Sequence, residues 1–135
     1  MLFRSLAARL ADEEHRLDQF KAGDLKIATA FGMSYQQLAD AARRVFRRLA
    51  VVPGRDFDAA LAAVAGEVPA QVAWDALDEL VDLGLLQDSA AGRYRFHDLV
   101  RLFARTRLEA EESPAERAAL TARVTSWLVG SLDPA

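Results

Sequence analysis

The chain has 135 residues, 52% of them apolar, with no cysteine, two histidines and a formal charge of −3. That is enough apolar material for one globular core plus a helical arm, and it excludes a disordered chain, a disulfide framework and thiolate metal sites. The slight negative charge gives no general attraction to nucleic acid, and no apolar run approaches the roughly 20 residues that span a bilayer, so the reading is of a cytoplasmic protein without a membrane segment.

Leu2, Leu6, Leu10, Leu17 and Phe20 fall on one face of a first helix, with the charged run Asp12 to Arg16, His15 included, as its solvated side. Gly23-Asp24 breaks it. A second helix capped by Asp24 carries Leu25, Ala28, Phe31 and Tyr35 inward, while Ser34 with Gln37 forms an alternative capping box for the next helix. The boundary between these two helices stays open at this level.

From Asp40 the spacing of Ala42, Val45, Phe46 and Leu49 predicts a helix stopped by Val52-Pro53-Gly54. Its Arg43, Arg44, Arg47 and Arg48 read as a solvated face. Asp56 reads as the cap of a short helix over 57–65 that ends at Gly66. Pro69 then opens another, with Val72, Leu77, Leu80 and Val81 inward and Gly84 as its stop. Leu85 to Gln87 and Arg93 to Phe96 are strand candidates around the turn-rich 88–92. Three helices and a hairpin predict a winged helix, a mostly α fold with a small α+β element. A helix over 98–111 follows. A last helix opens with Ser113, Pro114 and Glu116 as cap, first residue and capping-box partner, with Leu120, Val124, Trp127 and Leu128 as its stripe. Trp74 and Trp127 read as packing residues. The organisation expected is a helical arm over 1–37, a winged-helix domain over 38–112 and a C-terminal helix over 113–135.

The most informative segment is Arg93-Tyr94-Arg95-Phe96-His97-Asp98. Tyr94 and Phe96 alternate with arginines at the period of a half-buried strand, and the spacing then becomes helical at Leu99, Leu102 and Phe103. A histidine and an aspartate thus stand at a strand-to-helix corner. The free N–H groups and positive dipole end of the helix let it be capped by Asp98 or receive an anion beside His97. A lone histidine at a strand end is also commonly a hydrogen-bonded structural residue.

Winged helices often bind duplex DNA through the third helix. Between Arg55 and Arg93 this chain has no lysine or arginine, and Asp75, Asp78, Glu79 and Asp82 lie on that third helix. Phosphate affinity comes from cations that displace counterions, so DNA binding by this module is not the expectation. The alternatives are a DNA contact through Arg93 and Arg95 of the wing and Arg43, Arg44, Arg47 and Arg48, or a module for protein contacts.

The runs LADEEHRLDQFKAGD, YQQLADAARRVFRRLAVVPGRDFD and LDELVDLGLLQDSAAGRYRFHDLVRLFAR resemble the segment after the ATPase core in bacterial regulators of the Streptomyces antibiotic regulatory protein type. Those proteins are similar to the NB-ARC, or STAND, signalling ATPases. The resemblance runs from about Leu6 to Trp127. Phe96-His97-Asp98 stands where that class has Met-His-Asp, whose histidine touches the β-phosphate of bound ADP and holds the closed form. The resemblance implies that His97 is the phosphate contact and Asp98 the cap that fixes it. It also implies ADP or ATP in an intact parent chain, with an ATPase core upstream and helical repeats downstream as partners. The 135 residues contain no GxxxxGK[ST] loop and no cysteine or serine nucleophile set, so no enzyme activity and no cofactor of its own are expected for this piece.

Overall fold

The computed structural model describes residues 25–54, 56–89 and 92–132. The first helix expected from Leu2 to Phe20, the Gly23-Asp24 break, the Asp24 cap and His15 lie outside the described residues. The chain divides into two units, residues 1–33 and 34–135. Helix α1 spans Leu25–Gln37, which closes the question of the Ser34–Gln37 box: the break comes at Leu38-Ala39.

The second unit contains α2 (Asp40–Arg48), a 3-10 turn (Leu49–Val51), β1 (Asp56–Phe57), α3 (Ala59–Gly66), α4 (Ala70–Asp82), β2 (Gln87–Ser89), β3 (Arg93–Arg95), α5 (Asp98–Glu111) and α6 (Pro114–Leu132). The described residues are thus mostly helical, with one small antiparallel sheet in the order β1-β3-β2. Asp56 faces Arg95 and Phe57 faces Tyr94 on one side of β3, while Gln87 faces Arg95 on the other. Helices α2, α3 and α4 pack on one another, α5 packs on α2, and α6 lies along α3. Phe46, Leu49, Leu77 and Leu80 are fully buried at the centre, and Leu120 and Val124 attach α6.

Two expected boundaries move for physical reasons. Asp56 does not cap a helix. It belongs with Phe57 to β1, because Phe57 is buried by stacking on Tyr94 with ring centroids 6.3 Å apart. The cap of α3 is Asp58, whose Oδ1 accepts from the Leu61 N–H at 2.9 Å. Likewise the first wing strand starts at Gln87, not Leu85. The Leu85 N–H closes the end of α4 on the Leu80 carbonyl at 2.9 Å, and the Gly84 N–H bonds Val81 at 3.0 Å, with Gly84 left-handed at φ +76°. Pro69 caps α4 from an extended conformation and Ala70 is its first residue. Trp74, read as a packing residue, is 45% exposed, because α4 turns Ala73, Ala76, Leu77 and Leu80 inward.

Helix α3 ends at Gly66, as expected, but Gly66 is not its left-handed residue. The left-handed residue is Glu67, at φ 54°, and its N–H and that of Val68 bond the Val64 and Ala63 carbonyls. Gly66 instead lets α3 approach α2: a Cβ there would lie 2.7 Å from Val45 Cγ2. Val45 is fully buried and β-branched, so it cannot turn aside. Gly66→Ala is therefore expected to destabilise by about 1–2 kcal/mol. Overpacking outweighs the helix-propensity gain of about 0.5–1 kcal/mol, and a urea midpoint equal to or above the parent's would contradict this.

Candidate functional site

The corner after β3 is built by alternation and anchored by rings. Tyr94 and Phe96 turn into the core, where Phe96 lies 5.7 Å from the Phe46 ring and 5.9 Å from that of Phe57. The same alternation puts Arg95 and His97 on the outer face, and both are exposed. His97 occupies the cap position of α5 with extended backbone, and its side chain makes no capping bond. Asp98 is the first residue of the helix, not its cap. Its carboxylate sits in the first turn, where it complements the helix dipole without holding His97 by a hydrogen bond.

A cleft of about 290 Å³ opens at this corner, lined by Gly54, Gln87, Arg95, Phe96, His97, Asp98 and Arg101. Cross-strand pairing brings Gln87 beside Arg95, and the Gln87 carboxamide nitrogen lies 2.7 Å from His97 Nε2. That contact holds the orientation of the imidazole ring at the mouth of the cleft. Arg101 stands one helical turn beyond His97. Its backbone N–H bonds the His97 carbonyl at 2.9 Å, its Nη2 donates to the Gly54 carbonyl at 2.8 Å, and its guanidinium lies 5.8 Å from the Phe96 ring centre. Burial lowers the Arg101 pKa and Arg105 lowers it further, with Asp98 opposing both. Arg93, by contrast, is held by Asp56, whose hydrogen bond raises its pKa, with Asp58 at 3.8 Å.

The arginines of α2 are not a solvated face. Arg48 is 5% exposed and Glu112 likewise, and Arg48 grips the Glu112 carboxylate through Nε at 3.1 Å and Nη2 at 2.8 Å. Arg47 reaches the same carboxylate at 2.7 Å. Arg44 and Arg48 share Glu67 at 2.8 and 2.9 Å with Arg123, which joins α6 to the cluster at 2.7 Å, while Arg43 pairs with Asp40. The helix turns these long side chains over the junctions with α3 and α5, where carboxylates from distant sequence wait. Gln87, Arg101, Glu67 and Glu112 are the residues that the sequence reading did not single out. A signal existed for one of them, since Glu111 and Glu112 stand immediately before a helix break. Among the described residues no group of three or more His, Asp or Glu side chains is placed to hold a metal, and no helix is long and apolar enough to cross a membrane.

The order helix, strand, helix, helix, hairpin, with the first strand added to the hairpin's sheet, is that of a winged-helix domain. The chain is 45% identical over 130 residues to the regulatory protein AfsR of Streptomyces coelicolor, a match covering 93% of the chain and 13% of that relative. It is 46% identical over 112 residues to the regulatory protein AfsR of Streptomyces griseus, covering 83% of the chain and 12% of the relative. Its homologues are therefore regulatory proteins, and it spans about an eighth of their length. No family profile matches the chain. No solved structure matches it either.

Proposed function

We propose that the chain is the winged-helix switch segment of a larger cytoplasmic transcriptional regulator of the NB-ARC, or STAND, ATPase class. In this reading His97 contacts the phosphate of ADP held by the ATPase core of the parent chain, and the segment acts by contact, without catalysis or a cofactor of its own. The observation that carries it is the exposed His97 ring at the edge of an open cleft, on a corner whose backbone is anchored by the buried Phe96. A histidine buried among hydrocarbon side chains would have excluded it. The match to a short stretch of long regulatory proteins supports the same assignment.

A switch needs a contact made in one state and lost in the other, and one charge-assisted hydrogen bond of about 1.5–3 kcal/mol is sufficient. In the intact regulator His97→Ala is expected to weaken ADP binding about 10- to 100-fold and to raise basal transcription. Unchanged ADP affinity by calorimetry would overturn the reading.

Duplex DNA is a poorer candidate partner. Helix α4 exposes Asp75, Asp78 and Asp82 where a groove-reading helix needs cations, and the arginines of α2 are paired with carboxylates. The half-exposed Trp74 on the same helix favours a protein contact on that face, for which the repeats of the parent chain are the natural partner.

A further inference from the structure

Most arginines of the described residues lie within ion-pair distance of a carboxylate. Arg95, Arg101, Arg105 and Arg117 do not, and of these Arg95 and Arg101 line the cleft that holds His97. Arg101 is the more telling. Arg101 is half-buried, its guanidinium lies over the Phe96 ring, and its one hydrogen bond from the guanidinium among the described residues goes to the Gly54 carbonyl. A partly desolvated cation without a counter-ion is costly, and a guanidinium presents a planar fork matched to phosphate oxygens. Burial is the main cause of the lowered Arg101 pKa, and the neighbouring Arg105 adds to it.

We propose that Arg101, assisted by Arg95, is the charge-neutralising part of the site, so that the cleft takes a phosphate anion, the diphosphate end of a nucleotide. This deepens the nucleotide reading of His97 and rests on it. The Asp98 carboxylate in the same cleft offsets part of the positive charge, so recognition rests on the forked contacts of the guanidinium groups. The cleft, of about 290 Å³, has room for the diphosphate. Arg101 also ties the residues following the 3-10 turn to α5 through Gly54, so an anion that recruits its Nη2 competes with that tie and reports the ligand to the α2 end of the fold.

Titration of the 135-residue chain with pyrophosphate at constant ionic strength, followed by NMR of the arginine Nε–H groups and the His97 ring, tests the assignment. Saturable shifts of Arg101 and His97 are expected at millimolar ligand. Arg101→Gln should weaken binding about tenfold or more, Arg101→Lys should restore part of it, and Arg95→Gln should cost less. Arg107→Gln, which alters an arginine already paired with Glu111, should leave the affinity unchanged. Wild-type affinity in a folded Arg101→Gln variant, no saturable pyrophosphate response, or displacement of pyrophosphate by a short DNA duplex would each overturn the proposal. If His97→Ala abolishes pyrophosphate binding while Arg101→Gln does not, the histidine reading stands and the arginine assignment falls. If Arg101→Gln weakens pyrophosphate binding but His97→Ala leaves ADP affinity of the intact regulator unchanged, the anion site stands and the nucleotide reading falls.

Discussion

Replacing Glu112 by alanine is expected to lower the stability of the fold by about 3–5 kcal/mol in urea denaturation. The side chain of Glu112 is 3% exposed and that of Arg48 6%. Taking away the carboxylate leaves Arg48 with only Glu67, at 2.9 Å, as its acidic partner among the described residues, and leaves Arg47 with Glu111 at 3.7 Å. A buried guanidinium that loses its counter-ion keeps its desolvation cost, which is why breaking such a pair is worth more than forming it. The double variant Arg48→Met with Glu112→Leu separates the two, since an apolar pair of similar volume should recover most of the loss. The cluster also sets an acid limit. Burial raises the Glu112 pKa, but hydrogen bonds from Arg48 and Arg47 outweigh it and hold the carboxyl below its ordinary value. A hydrogen bond from Arg48 is the main cause of the same shift at Glu67. The unfolded chain then takes up protons at higher pH than the fold does. The contribution is complete above the ordinary carboxylate pKa of about 4.3 and is lost as pH falls through the lower folded values. Glu112→Gln should flatten the decline of stability on acidification, and a slope equal to the parent's would remove Glu112 as its source.

The features written in local spacing were legible. Arg93, Arg95 and His97 alternate with Tyr94 and Phe96, and the structure keeps that alternation. The Ser113–Glu116 capping box forms both of its bonds, at 2.9 and 3.1 Å, and Gly84 is the left-handed stop of α4. What escaped was set by distant partners. A strand of two residues has no period of its own, so Asp56-Phe57 declares itself only when paired with Tyr94 and Arg95. Helical spacing correctly set the α2 arginines apart from Val45 and Phe46, but their solvation depended on carboxylates such as Glu112, 64 residues beyond Arg48. Of the candidate site, His97 and Arg95 could be read from the strand. Gln87 required the register of the hairpin, and Arg101 required knowing that one helical turn carries its side chain back over Phe96.

Phe96→Ala should cost about 3–5 kcal/mol and, in whatever fraction remains folded, abolish the pyrophosphate response of His97 and Arg101, whereas Phe96→Met should cost less than about 1.5 kcal/mol. Phe96 is 8% exposed and touches Phe46 and Phe57 with its ring while the Arg101 guanidinium lies over it. It therefore couples three things: the core, the backbone that aims His97, and the cation proposed to meet the ligand. Methionine fills an apolar site of this size and can follow its contours, so it should preserve the corner. It supplies no π face for Arg101, so its pyrophosphate affinity should fall a few-fold, by about the 0.5–1 kcal/mol of an exposed cation–π contact. Alanine removes the anchor itself, and the strand-to-helix junction loses the packing that fixes its direction. Urea titration of both variants alongside the NMR response distinguishes these cases. Wild-type stability in Phe96→Ala would mean that the corner is held by its backbone hydrogen bonds alone, and the physical link from core packing to the aim of His97 would be lost.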